Sequence, residues 1–169
     1  MSRLDTVATH RRERFVGRAR SVPTEPATFV GLATLTTSRP DLSGPYSRPV
    51  RADLLIDARG RITVTAVHVE PARLGSVTCV ISLLPGTGRG RYTAGKLQLS
   101  LGLLFRIDVL PDADSEITLP LTTDPPGPRT DRDGRVTAAG TASFAKGYLG
   151  GRLATLVVTG AITREVAAR

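Results

Sequence analysis

The chain has 169 residues, 40% of them hydrophobic and 22% charged, with a formal net charge of +8. That is the profile of one soluble globular domain, and it excludes a disordered chain or a fibre. Aromatic residues make up only 4% and there is no Trp, so a base-stacking surface or an aromatic cage has little to be built from, which argues against nucleic acid as a partner.

Residues 1–22 form a basic arm, with Arg3, Arg11, Arg12, Arg14, Arg18 and Arg20 against Asp5 and Glu13. Half the excess charge sits there, yet solvated Arg is commoner than engaged Arg. Ser2 as N-cap with Asp5 three residues on predicts a short helix that Pro23 and Pro26 end. The segment does not read as a signal peptide, because its apolar stretch is broken by Arg18, Arg20 and Pro23, and the Arg11-Arg12 pair lacks the apolar run of a twin-arginine signal. The longest nearly apolar run, Leu97 to Phe105, is too short for a membrane-spanning helix. These features together read as a cytoplasmic protein without a membrane span.

From residue 23 to 169 the chain reads as one all-β domain. Runs of strand texture separated by turn residues cover Ala27–Thr37, Val50–Asp57, Arg61–Glu70, Val77–Leu84, Lys96–Val109, Glu116–Thr122, Arg135–Phe144 and Arg152–Arg164. Asp57-Ala-Arg-Gly60 and Asp131-Arg-Asp-Gly134 place Gly where a tight hairpin turn needs positive φ. The clearest alternation lies over Lys96–Val109: Leu97, Leu99, Leu101, Leu103, Phe105, Ile107 and Val109 form one wholly apolar face. A strand that long must coil, and Gly102 in its middle is the place for the bend. Eight antiparallel strands joined by short links predict a closed or nearly closed up-and-down β-barrel. A β-sandwich is the alternative, with the links 38–49 and 123–134 as crossovers.

Few motifs carry chemistry. Gly90 to Lys96 has the spacing of a phosphate-binding loop, but Leu97 follows the lysine and the segment runs into a strand, so the helix N-terminus that holds phosphate is missing. Pro85–Gly95 reads instead as a loop at one end of the barrel. Asp112, Asp114 and Glu116 alternate without the grammar of a calcium loop, and one cysteine with two histidines gives no metal centre, so no metal and no cofactor is assigned. Cys79 on an apolar strand packs as a small hydrophobe. No Gly-x-Ser-x-Gly occurs. Tyr148, in Gly147-Tyr-Leu-Gly-Gly151, caps the barrel end or meets a ligand. On Arg61–Glu70, strict alternation groups Ile62, Val64, Ala66, His68 and Glu70. If that face points inward, His68 and Glu70 enter the interior as an acid–base pair; if Val67 and Val69 do, His68 faces solvent.

The strand texture is similar to small bacterial β-barrels of the lipocalin-like and allene-oxide-cyclase-like kind, a likeness of architecture that rests on no signature residue. It implies either a ligand carrier or an enzyme that folds a flexible apolar substrate for cyclisation. The first expectation is therefore a lumen that takes a hydrophobic small molecule against Leu99, Leu101, Leu103, Phe105 and Arg106. If it is catalytic, it is a cofactor-independent cyclase or isomerase using His68, Glu70, Tyr92 or Tyr148. The competing expectation is a non-enzymatic interaction module whose Arg-rich arm meets an anionic partner while the barrel serves as scaffold or homo-oligomer surface.

Overall fold

Alternating apolar residues leave each strand one face to bury, and an antiparallel meander solves this by curling until its edges meet. The computed structural model describes residues 21–94, 96–108, 114–123 and 135–165. The arm helix, Val109, Asp112, Gly95 and the Asp131–Gly134 turn lie outside them. The strands are β1 (Thr24–Thr37), β2 (Tyr46–Asp57), β3 (Arg61–Val69), β4 (Ala72–Leu74), β5 (Val77–Leu83), β6 (Arg89–Thr93), β7 (Lys96–Ile107), β8 (Ser115–Thr122), β9 (Arg135–Ser143) and β10 (Leu153–Arg164). The ring runs β1-β2-β3-β6-β7-β8-β9-β10 and closes by antiparallel pairing of β10 on β1, Ala27 opposite Arg164 through Thr37 opposite Ala154. This is the expected barrel and not the sandwich.

β7 organises the wall. Leu97, Leu101, Leu103, Phe105 and Ile107 are buried and Leu99 is half-buried, so the apolar face points inward along the whole strand. One edge of β7 pairs with β8; the other pairs with β6 over its first half and with β5 over its second. Residues 84–88 stand opposite only Leu101 and Gly102, so β5 and β6 form one strand line interrupted by a bulge. Thr87 fills that bulge: its hydroxyl donates to the Leu84 carbonyl at 2.6 Å and accepts from the Gly102 amide at 3.2 Å. A Cβ on Gly102 would lie 2.8 Å from the Thr87 side chain. Gly102 thus makes room for a bulge in the neighbouring strand.

Two expectations are corrected here. Pro85–Gly95 is not a loop at the barrel end, since Arg89–Thr93 is a wall strand; the closed circuit of eight strands runs through β6, and β5, expected in it, is an extra strand on the same edge of β7 beyond the bulge, with β4 on its far side. The second strand begins at Tyr46 and not at Val50, so 46–49 are wall and not link. Pro49 is tolerated because the β2–β3 ladder stops at Val50 opposite Val69, leaving residue 49 paired only on β1.

One end is plugged. Leu42 of the 3-10 turn Pro40–Leu42, Phe144 and Leu149 are buried, and the Phe144 ring meets Phe105 edge-on at 5.1 Å and 87°. The Leu149 amide donates to the buried Ser115 hydroxyl at 3.0 Å.

The β2–β3 hairpin turn forms as expected, with Gly60 at φ +75°. Asp57 holds it: one carboxylate oxygen accepts from the amides of Arg59 at 2.8 Å and Arg61 at 2.9 Å. The Arg61 amide, then the Arg59 amide and both guanidinium charges, draw the Asp57 carboxyl below its ordinary value against the opposing effect of burial. A lowered folded-state pKa stabilises the fold above the unfolded value of about 3.9, and the effect is lost as pH falls through the folded value. Asp57→Ala should therefore melt lower than the native protein at pH 7, and a pH series of thermal melts should show the gap closing below about pH 3.9.

Candidate functional site

The inward rows of the strands converge on a cavity of about 110 Å³ inside the barrel. Its wall includes Leu97, Leu99, Leu101, Leu103 and Phe105 from β7, Val50, Ala52 and Leu54 from β2, and Phe29, Ala33 and Leu35 from β1. Arg48 and Tyr46, near the start of β2, are the lining residues that carry strongly polar groups, and they line the cavity through their carbon atoms, since its surface is almost wholly apolar. Cys79 also lines it and is fully buried. Burial, and secondarily the Asp108 charge, push its thiol up to about 12, which leaves an unreactive thiol and no nucleophile.

The barrel wall is interrupted beside this cavity. β3 pairs with β6 at Arg61–Thr63, the Val64 amide donates to Gly88 at 2.7 Å, and the next pairing on this line is Ala72 of β4 with Cys79 of β5. Between these points no ladder joins residues 65–71 to residues 80–87. Val50, Val67, Val69 and Ile81 line both the cavity and a shallow outer groove at this gap. Arg51, His68 and Glu70 stand on the groove side.

The face of β3 follows from a bulge. Asp53 pairs with Ala66 but Leu54 pairs with Val64, so Thr65 is an extra residue that reverses the alternation. Ile62 and Val64 point inward before it, and Val67 and Val69 line the lumen after it. His68 is consequently on the outer face, its side chain 60% exposed, with Nε2 3.1 Å from Asp53 Oδ2. That contact with His68 is the main cause of a lowered Asp53 carboxyl pKa, helped by Arg51. Glu70 is exposed, and among the described residues no hydrogen bond or ion pair joins it to His68.

The remaining sequence-derived residues separate cleanly. Leu99, Leu101, Leu103 and Phe105 line the lumen together. Arg106 does not: it is on the outer face of β7, with Nε 3.6 Å from Asp114. Tyr92 is half-buried against the core on β6. Tyr148 lies at the plugged end beneath Arg39, whose guanidinium carbon is 3.9 Å from the ring centroid, a cation–π contact that makes it part of the cap. Glu116 pairs with Lys146 at 3.0 Å, and among the described residues no group of acidic, His or Cys side chains is arranged to hold a metal. No described helix is long and apolar enough to cross a membrane.

Arg48 and Tyr46 escaped the sequence reading because Pro49 suggested that the strand starts after it. The signal was the inward row itself, Tyr46, Arg48, Val50, Ala52, Leu54 and Ile56, which continues unbroken through the proline. Comparison of the chain with protein-family models, with curated proteins and with solved structures finds no match.

Proposed function

We propose that the protein binds a compact apolar small molecule in the barrel lumen. The observation that supports this is the cavity of about 110 Å³ inside the barrel, with an almost wholly apolar lining. An unfilled space in a core forfeits the dispersion contacts of its lining, so an occupant of matching shape recovers them. The size restricts the occupant. Pockets for drug-sized ligands are about 300–1,000 Å³, whereas an apolar cavity of about 150 Å³ stays dry and takes benzene. A single six-membered ring or a branched chain of similar bulk fits this description, and a fatty acid or a retinoid does not. Binding and not acid–base catalysis is the reading favoured by the outward position of His68 and the exposure of Glu70.

Toluene is the probe. At a concentration 100-fold above its Kd it should stabilise the native protein by about 2.7 kcal/mol, read as a rise in melting temperature. Because the binding is apolar burial, the rise should be the same in 0.05 M and 0.5 M salt. Ala33→Phe, which puts a ring into the lumen, should abolish it. The competing reading, an interaction module acting through the Arg-rich arm, is supported instead by a salt-sensitive complex with an anionic partner that is lost on deleting residues 1–22, together with no response to toluene.

A further inference from the structure

We infer that the lumen ligand carries a single carboxylate, held by Arg48 at the rim of the cavity. This rests on the lumen-binding reading and adds the chemical class of the ligand. Arg48 shares the inward row of β2 with Tyr46 and Val50 and lines the cavity, although every other neighbour in that lining apart from Tyr46 and Cys79 is a hydrocarbon side chain. Among the described residues only two cationic side chains, Arg39 and Arg48, belong to residues that are not exposed. Arg39 is fully engaged: its Nε is 2.7 Å from Asp41, its plane lies on Tyr148, and it reaches the Tyr148 carbonyl at 3.4 Å. Among the described residues Arg48 has no acidic partner, and its hydrogen bond there is a long one, 3.4 Å to the carbonyl of the adjacent Ser47.

A guanidinium stays charged at any pH a protein survives and presents five donors in a planar fork. Placed at the edge of an apolar cavity without a counter-ion, it favours a monoanion that can accept two parallel hydrogen bonds while the rest of the molecule goes into the hydrocarbon lining. A lone cation with no second basic side chain in the lining matches one carboxylate and not a phosphate dianion. The ligand class is thus a compact aryl or branched-chain monocarboxylic acid, ring or branch inward and carboxylate on Arg48.

Toluene and benzoate differ by replacement of a methyl with a carboxylate and serve as the probe pair. Calorimetric titration of the native protein should give benzoate an affinity at least about tenfold above that of toluene, the return expected from a charge-assisted hydrogen-bonded pair. R48M keeps an apolar stem of similar length, and should lose the benzoate advantage while toluene affinity stays within about twofold; R48K, a point charge without the fork, should fall between. Retention of toluene binding in R48M also shows that the variant is folded. Toluene binding without any preference for benzoate, or a preference that survives in R48M, overturns the Arg48 assignment and leaves the apolar lumen standing. Absence of toluene binding to the native protein overturns both.

Discussion

Leu101→Asp should unfold the protein, costing about 4 kcal/mol or more. Leu101 is 7% exposed, pairs with Leu119 of β8 and lines the lumen. On the other edge of β7 it faces the bulge between β5 and β6, where no ladder residue stands opposite it. A carboxylate there finds no cation: Arg48 lies on the far strand line at the start of β2, and the intervening side chains are apolar. The acid must ionise unpaired in hydrocarbon or remain protonated and unsatisfied, and either state costs a large share of the 5–15 kcal/mol by which a domain of this kind is stable. Denaturant melts should show no cooperative transition, or one greatly displaced. Gln98→Asp, on the exposed outer face of the same strand, should change stability by no more than about 0.5 kcal/mol.

Gly31→Val should be nearly as damaging, at about 3 kcal/mol, for a steric and not an electrostatic reason. Gly31 and Gly160 are direct cross-strand partners where β1 and β10 close the barrel. A Cβ on Gly31 would lie 2.2 Å from the Thr159 carbonyl oxygen, and one on Gly160 would lie 2.3 Å from the Val30 carbonyl oxygen and 2.7 Å from the Phe29 ring. The obstacles on Gly31 are backbone atoms of the partner strand, so the clash is relieved only by parting the ladder that makes the ring a ring. Phe29 lies over the space that the missing side chain of Gly160 leaves, the arrangement by which an aromatic residue covers a glycine in a curved sheet. Gly31→Ala should already be measurably destabilised, whereas Val30→Ala, at a residue 58% exposed, should stay within about 0.5 kcal/mol in the same thermal or denaturant melts.

What could be read before folding was whatever the local pattern controls. The inward face of β7 follows from its alternating leucines, and the Asp57–Gly60 turn follows from a glycine and an aspartate at fixed spacing. β6 could not be read that way. Gly90 and Thr93 sit in a stretch rich in turn residues, and Gly90 belongs to a strand because its missing Cβ, which would fall 1.9 Å from the Gln98 carbonyl oxygen, lets β6 press against β7. The face of His68 was equally hidden, since one extra residue at Thr65 reverses every side chain after it and nothing in Thr65 or Ala66 announces a bulge. The apolar part of the site was therefore visible as a row of leucines. Its one charged member was not, because Arg48 precedes a proline whose tolerance depends on where the neighbouring ladder ends.

The lumen as a binding site for a compact apolar molecule is tested most directly by a crystal structure of the protein soaked with bromobenzene, using the anomalous signal of bromine to locate the ligand. The account predicts one strong bromine peak inside the barrel, bounded by Leu99, Leu101, Leu103 and Phe105 on β7 and by Ala33 and Val50 across from them, and no such peak in Ala33→Phe. A lumen without bromine density, with the halide found only on the outer surface, would contradict it.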